Sequence, residues 1–231
     1  MTQKSKQSRQ HSELLETFHS VRTQERGAIE RELLLRGLTL AGVDEVGRGC
    51  LAGPVFGGAC MLDYEKLAAL DPDLRSQIRD SKKLSAPVRK RMVEVIQSIS
   101  LEAHVGMATV QEIETMGIVP ATTLAIKRAL SQCQRPFDLL LVDGRSPLEG
   151  ILVKQLPIIK GDDLCHGIAA AAILAKEARD RWMIHEAQLY PEYGFERHVG
   201  YGTEHHRKMI DRHGICPLHR KNFAPIREML T

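Results

Sequence analysis

Residues 39–49 read TLAGVDEVGRG and carry the clearest indication of the fold. The first eight of them form an apolar run of small and branched side chains, which predicts a buried β-strand. This run includes Asp44 and Glu45, and a glycine-rich turn follows it. Neighbouring residues of a regular strand point to opposite faces. The two acids are therefore expected in one site only if the backbone turns there, as Gly47 and Gly49 permit.

Apolar runs bounded by turn residues predict four further strands. They lie at residues 51–62, 101–110, 137–142 and 151–159. Helical spacing of apolar residues predicts one or two helices at residues 11–36, helices at 121–133, 168–188 and 203–213, and one capped by Ser85. The strands come first and then alternate with helices. This order predicts an α/β protein with a mixed sheet covered by helices.

Length and composition limit the class of protein. The 231 residues, 43% hydrophobic and 26% charged, suffice for one large domain with a core. No uncharged apolar stretch approaches the ~18 residues of a membrane span, and the polar start lacks a signal peptide, so a soluble cytoplasmic protein is expected. The five scattered cysteines include no C-x-x-C pair, which argues against a disulfide scaffold and a four-thiolate zinc site. The net charge of +3 is only mildly compatible with a polyanionic partner.

Three of the predicted strands are followed by carboxylates. Asp44 and Glu45 end the first, Asp143 ends another, and Asp162 and Asp163 follow the last. If these strands are neighbours, their acids converge at one edge of the sheet. Oxygen ligands without histidine or cysteine favour Mg²⁺ or Mn²⁺, and two such ions form a common phosphodiester-cleaving apparatus. Acids at strand ends are also common as solvated loop residues, so the spacing alone leaves both interpretations open.

Histidines near the C-terminal end offer a competing metal site. The residues that could bind zinc are His205, His206, His213, Cys216 and His219. Adjacent histidines diverge on a helix, and a Gly-Ile break separates His213 from Cys216. Surface or phosphate-facing histidines are therefore the preferred interpretation.

Several short motifs together resemble those of bacterial ribonuclease HII. The blocks occur in family order over about residues 41–226 and are GVDEVGRG at 42–49, DSKKLS at 80–85, VDG at 142–144, KGD at 160–162, ILAK at 173–176, YGF at 193–195, GYGT at 200–203 and HRKNF at 219–223. Such blocks in register are far more specific than any one of them.

The resemblance implies a ribonuclease H-like fold with a helical N-terminal extension at residues 1–37. The catalytic domain would span residues 38–231 and end in a helical region. The implied activity is that of an endoribonuclease that cleaves the RNA strand of RNA/DNA hybrids and single ribonucleotides embedded in duplex DNA. Two divalent cations, Mg²⁺ or Mn²⁺, would assist hydrolysis and leave 3′-hydroxyl and 5′-phosphate ends. The expected partner is nucleic acid, with the protein acting as a monomer.

The same resemblance assigns roles to particular residues. The catalytic and metal-binding acids would be Asp44, Glu45, Asp143 and Asp162, with Asp163 as a neighbour. The substrate-binding residues would be a glycine-arginine-glycine backbone that reads the ribose 2′-hydroxyl, a tyrosine at the ribose-to-deoxyribose junction, and three lysines that contact phosphates. They are Gly47, Arg48, Gly49, Tyr201, Lys82, Lys83 and Lys176. Arg48 favours this family over ribonuclease HIII, which usually has threonine there.

Four residues depart from the family pattern. They are Cys50, Gly167, Ala172 and Asn222. None of them matches a metal ligand, so they bear on substrate contacts or rate. Two rival functions remain: a non-catalytic module that binds hybrids, and a related metal nuclease such as a junction resolvase or a transposase core.

Overall fold

Five strands form one mixed sheet in the computed structural model of the protein, which describes residues 25–229. They are β1 Leu40–Val46, β2 Val55–Leu62, β3 Ser100–Ala108, β4 Leu139–Asp143 and β5 Lys154–Ile158. The strand order is β3-β2-β1-β4-β5. The first three strands pair antiparallel, whereas β4 runs parallel to β1 and β5 parallel to β4. The predicted α/β class and mixed sheet are confirmed.

Eleven α-helices surround this sheet within residues 25–229. They are α1 Ala28–Leu35, α2 Tyr64–Ala69, α3 Pro72–Ser76, α4 Ala86–Ser98, α5 Val110–Met116, α6 Ile118–Leu130, α7 Gly161–Leu164, α8 His166–Glu186, α9 Phe195–His198, α10 Glu204–His213 and α11 Ile226–Met229. Short 3₁₀ turns lie at Ser81–Lys83 and Pro191–Tyr193. None of the helices in the described part combines the length and apolarity needed to cross a membrane.

The glycine pair of β2 lets two helices approach the sheet from opposite faces. A Cβ on Gly58 would lie 2.1 Å from the carbonyl oxygen of Ala171 in α8. A Cβ on Gly57 would lie 2.6 Å from the backbone nitrogen of Ile126 in α6. Because side chains alternate along a strand, the two glycines open opposite faces. A Cβ on Gly42 would likewise lie 2.2 Å from the carbonyl carbon of Gly167, so the long helix α8 also lies directly on β1, which carries Asp44 and Glu45.

Strand β2 is shorter than the 51–62 run predicted for it. Residues 51–54 form a loop, because their backbone groups bond to the C-terminal part of the chain. Leu51 N–H donates to the carbonyl of Gly200 at 2.9 Å, and Gly53 N–H donates to that of Leu218 at 2.8 Å. Gly53 also has a φ of 87°, which a strand residue does not adopt. The loop fastens the C-terminal helical region to the end of β1.

Helix α1 belongs to the packed structure. Leu33 is fully buried in a cluster with Leu40 and Leu139 of the sheet. The carboxylate of Glu30 accepts backbone N–H groups of His166 and Gly167 at 2.9 and 2.8 Å, so it caps the start of α8. The earlier part of the predicted extension, residues 1–24, lies outside the described residues.

Candidate active site

Three neighbouring strands bring the predicted acids to one edge of the sheet. Val43 of β1 pairs with Val142 of β4, so Asp44 and Asp143 follow side by side. Asp143 is in turn paired with Ile158 of β5. After β5, Lys160 adopts a left-handed φ of 57° and the chain enters α7, which carries Asp162. The carboxyl ends of β1, β4 and β5 therefore converge as the sequence predicts.

The carboxylates repel one another. Burial raises the pKa of Asp44 well above its ordinary value, and the charges of Glu45, Asp143 and Asp162 raise it further. Burial likewise raises the pKa of Asp143 and of Asp162. The N–H of Gly161 opposes this shift at Asp143, since it donates to Oδ1 at 2.7 Å. Such a cluster of half-buried anions favours a bound cation.

A backbone turn follows Asp44 and Glu45, at one of the two glycines that the sequence offers for it. Strand β1 continues in regular register through Val46, with Asp44 opposite Gly58 and Glu45 opposite Gly57. The two acids therefore start on opposite faces of the strand. The turn comes at Gly47, whose φ is 97°. Glu45 reaches along the strand end and accepts a hydrogen bond from Arg48 Nη1 at 2.9 Å.

A cavity of about 770 Å³ adjoins the acids. Glu45, Arg48 and Asp143 line it together with Thr122 of α6 and the loop that follows β4. The site is therefore open on the side of α6. The four acids are also spread out: among residues 25–229, no three of them place oxygen atoms within 4.8 Å of one another.

Two fully buried arginines donate hydrogen bonds to backbone carbonyls of the glycine turn and of the loop that follows it. Arg220 Nη1 donates to the carbonyl of Arg48 at 3.0 Å and Nε donates to that of Gly53 at 2.8 Å. Arg179 donates to the carbonyls of Ala52 and Pro54, both at 3.0 Å. Both guanidinium groups are wholly inaccessible to solvent, and Arg220 Nη2 lacks a hydrogen-bond partner among the described atoms. These contacts fix the backbone predicted to read the ribose.

Sequence reasoning missed these arginines. A signal existed for Arg179, because it lies four residues from both Ala175 and Met183 and so shares their buried helical face. An arginine on an apolar face needs acceptors, and here they are backbone carbonyls. Arg220 lies outside regular secondary structure, and its place in the block at residues 219–223 is the signal that the sequence offers for it.

Tyr201 lies beside the arginines at the same edge. Its ring centroid is 5.5 Å from Lys176 Nζ and 5.9 Å from Arg179 Cζ, within the range of a cation–π contact. Burial raises the pKa of its hydroxyl, and the neighbouring thiol of Cys50 raises it further. Cys50, one of the departures from the family pattern, is thus an electrostatic neighbour of the predicted junction tyrosine.

The three predicted lysines have different surroundings. Lys82 is exposed, and its charge lowers the pKa values of Asp143 and Asp162 against the effect of burial. Lys83 pairs with Asp163 at 2.7 Å, and Lys176 pairs with an aspartate of its own helix. Asp163 has a lowered pKa because of Lys83, which fits a salt-bridged neighbour of the acids. Of the three lysines, Lys82 is the one whose charge lowers the pKa values of both Asp143 and Asp162.

The remaining departures lie away from the acids. The N–H of Gly167 is bound to Glu30 at the start of α8, Ala172 is buried within the same helix, and Asn222 Nδ2 donates to the carbonyl of Glu114 at 3.0 Å. Neither of these two hydrogen bonds involves one of the four acids.

The histidines do not form the alternative zinc site. In the described part of the chain, the one group of three potential ligands within 4.8 Å of one another is Glu102, His104 and Cys133. This group lies on the edge strand β3 and after α6, and β2 separates it from β1, which carries Asp44 and Glu45. His205 and His206 diverge as predicted, the first exposed and the second fully buried. The buried positions of His206 and His219 differ from the predicted surface or phosphate-facing ones.

Sequence comparison matches the chain with one family. The family model described as Ribonuclease HII covers residues 41–226. Ribonuclease HII of Prochlorococcus marinus is 45% identical over 189 residues, which are 82% of this chain and 97% of that protein. Ribonuclease HII of Rhodospirillum rubrum is 45% identical over 196 residues, covering 84% of this chain and 88% of its own.

Solved structures share the fold. Ribonuclease H2 from Pyrococcus horikoshii is 23% identical with a TM-score of 0.68, covering 83% of this chain and 97% of its own. RNase HII in the PCNA:RNase HII complex from Archaeoglobus fulgidus is 25% identical with a TM-score of 0.63, covering 80% and 95%. Bst-RNase HIII in complex with Mn²⁺ is 19% identical with a TM-score of 0.61, covering 84% and 69%. The predicted ribonuclease H-like fold is confirmed.

Proposed function

The chain belongs to the ribonuclease HII family, an endoribonuclease family, and we propose that Asp44, Glu45, Asp143 and Asp162 form its catalytic metal site. The enzyme cleaves the RNA strand of RNA/DNA hybrids and ribonucleotides embedded in duplex DNA. One observation carries the assignment of the site. The carboxyl ends of three adjacent strands place mutually repelling acids beside a glycine turn that buried arginines hold in place.

The donor set fits hard divalent cations. All four side chains offer only carboxylate oxygen, the ligand type that Mg²⁺ and Mn²⁺ prefer. The raised pKa of Asp44 gives the site an electrostatic reason to bind them. A related fold with Mn²⁺ bound, that of Bst-RNase HIII, is consistent with this choice. We infer two ions of Mg²⁺ or Mn²⁺, which when bound would supply the charge needed to activate water and to offset charge on the leaving 3′-oxygen.

The turn at Gly47, Arg48 and Gly49 recognises the ribose in this proposal. Its backbone groups lie next to the acids, and Arg220 keeps the Arg48 carbonyl in place. A site that hydrogen-bonds the 2′-hydroxyl leaves its polar atoms unpaired when deoxyribose occupies it. The turn therefore selects ribose at the cleaved position and disfavours DNA.

Tyr201 and the lysines position the substrate around this step. Tyr201 offers its ring face to the sugar or base at the junction, held between Lys176 and Arg179. Lys82 and Lys83 lie on the 3₁₀ turn near Asp162 and would contact backbone phosphates. The products would carry 3′-hydroxyl and 5′-phosphate ends.

A cation titration tests the proposed metal site and separates the enzyme from the rival hybrid-binding module. Calorimetry with Mn²⁺ should show uptake by the wild-type protein that is lost in Asp44→Asn and Asp143→Asn. Asp163→Asn is the matched control, since this carboxylate pairs with Lys83, and its uptake should match wild type. Equal Mn²⁺ uptake in all four proteins would refute the assignment of these acids.

The proposal also covers the oligomeric state and the compartment of the protein. We infer a monomer that acts in the cytoplasm, where nucleic acid is its partner. All five cysteines are free thiols, as a reducing compartment allows. Sedimentation of the purified protein at two concentrations tests the monomeric state, and a dimer mass at both would contradict it.

A further inference from the structure

Three buried histidines lie directly behind the loop that carries Tyr201. His206 is fully buried, His219 is 1% exposed and His198 is 7% exposed. The rings of His198 and His206 are stacked with centroids 4.4 Å apart. The catalytic proposal assigns no role to any of them. Buried histidines need a partner for each ring nitrogen, so their hydrogen bonds define their protonation.

His219 and His206 form a chain of hydrogen bonds in which each ring accepts a proton at one nitrogen and donates one from the other. Cys216 N–H donates to His219 Nδ1 at 2.9 Å, so the proton of the His219 ring is on Nε2. His219 Nε2 lies 3.1 Å from His206 Nε2 and donates to it. His206 Nδ1 therefore carries the proton of that ring and donates to the carbonyl of Tyr201 at 2.9 Å. Each ring is neutral, with both nitrogens used.

His198 holds Gly200, the residue before Tyr201, through its two ring nitrogens. Its Nε2 donates to the carbonyl of Tyr193 at 3.0 Å, which leaves Nδ1 to accept the N–H of Gly200 at 3.3 Å. The carbonyl of Gly200 accepts the N–H of Leu51 at 2.9 Å. The histidines thus fix the backbone that links the tyrosine loop to residues 51–54, next to the glycine turn.

We propose that His198, His206 and His219 are positioning residues, which hold Gly200 and Tyr201 in place for cleavage next to an isolated ribonucleotide. This inference rests on the proposed role of Tyr201 at the ribose-to-deoxyribose junction. All three side chains are buried: His198 and His206 act on backbone atoms of the loop, and His219 acts through the ring of His206. Their loss therefore shifts the substrate preference of the enzyme and leaves the acids and the glycine turn in place.

Two substitutions of His206 separate positioning from simple packing. His206→Asn retains an amide donor near the position of Nδ1, whereas His206→Phe retains ring volume without a donor. We expect His206→Phe to lower cleavage at a single embedded ribonucleotide about tenfold relative to cleavage of a uniform RNA/DNA hybrid, the effect of one lost hydrogen bond. His206→Asn should restore most of this ratio. The exposed neighbour His205 supplies the control, and His205→Phe should match wild type.

The double variant Tyr201→Ala/His206→Phe distinguishes failure of the positioning role of His206 from failure of the junction role of Tyr201. In that background His206→Phe should change the substrate ratio no further, because the group it positions is gone. Equal ratios for His206→Phe and wild type, or for His206→Phe and His206→Asn, would overturn the positioning role. An unchanged ratio in Tyr201→Ala alone would instead refute the proposed role of the tyrosine. Should His206→Phe not fold, His219→Asn removes the donor to His206 and should lower the same ratio, and an unchanged ratio would overturn the inference.

Discussion

The side chain of Arg179 occupies the space beside Gly47: a Cβ added to this glycine would lie 2.2 Å from Arg179 Nε. Arg179 cannot move aside freely, because its guanidinium group donates to the carbonyls of Ala52, Pro54 and Val199. Gly47 also has a φ of 97°, a conformation that side chains rarely adopt. The shape of the ribose-reading turn thus depends on a contact between the turn and α8.

Substitution of this glycine should lower both stability and activity. We expect Gly47→Ala to reduce the free energy of unfolding by about 1–3 kcal/mol through backbone strain alone, and the displaced arginine adds to this. Gly49→Ala is a matched control, since a Cβ there would meet no atom within 4 Å and its φ is not left-handed. Urea unfolding measures the difference. Equal losses in the two variants would show that the contact with Arg179 has no effect on folding.

Removal of one acid should separate activity from folding. Asp143→Asn keeps the side-chain oxygen that accepts the N–H of Gly161 and removes one repelling charge. We expect a loss of cleavage greater than about 100-fold, beyond that typical for residues that only support a metal ligand. The melting temperature should change little or rise. Single-turnover cleavage and thermal unfolding measure these effects, and unchanged activity would remove Asp143 from the mechanism.

Divalent cations should stabilise the protein through the same cluster. The folded-state pKa values of Asp44, Asp143 and Asp162 are raised, so the stability of the metal-free protein falls as the pH rises through them. Mn²⁺ offsets this repulsion, and the gain in melting temperature over an EDTA control should grow with pH. In Asp44→Asn the gain should be smaller. A gain that is independent of pH and identical in this variant would place Mn²⁺ binding elsewhere.

The buried histidines give the opposite dependence in the acid range. Burial lowers the pKa values of His206 and His219 to about 4, from an ordinary 6.5. Their contribution to stability is therefore complete above pH 6.5 and is lost as the pH falls towards 4. The neighbouring imidazoles of His198 and His205 act in the same direction. We expect the melting temperature to fall over this range and less so in His206→Phe, and a parallel fall in both proteins would assign it to other groups.

The junction tyrosine should affect one substrate more than the other. Tyr201→Ala removes the ring beside Lys176 and is expected to weaken cleavage at a single ribonucleotide more than cleavage of a uniform hybrid. In Tyr201→Phe the ring stays beside Lys176 and only the hydroxyl is lost, so most of the preference should persist. Ratios of kcat/KM on the two substrates provide the readout. Equal losses on both would contradict a role at the junction.

The sequence predicts the strands well where burial alone decides them. The apolar run before Asp44 has a single suitable environment, the centre of the sheet, and β1 lies there with Val43 fully buried. The convergence of Asp44 and Asp143 follows from the same strands once they pair in parallel. Local pattern and tertiary environment agree at these positions, which is why the location of these two acids at one edge of the sheet could be predicted.

Contacts between distant segments could not be predicted. The strand predicted from residue 51 begins only at Val55, because Gly53 bonds to Leu218 near the other end of the chain. The turn occurs at Gly47, as the sequence allows, but no local pattern reveals that the side chain of Arg179 fills the space beside it. The neutral state of His206 likewise depends on partners that no local pattern reveals.

Cleavage of three matched duplexes tests the central claim most directly. The substrates are an all-DNA duplex, the same sequence with one ribonucleotide, and an RNA strand paired with DNA, each with Mg²⁺ or Mn²⁺. The wild-type protein should cut the two substrates that contain ribose, leave the all-DNA duplex intact, and lose this activity in Asp44→Asn. Comparable cutting of the all-DNA duplex, or full activity in Asp44→Asn, would contradict a carboxylate-bound metal site that selects ribose.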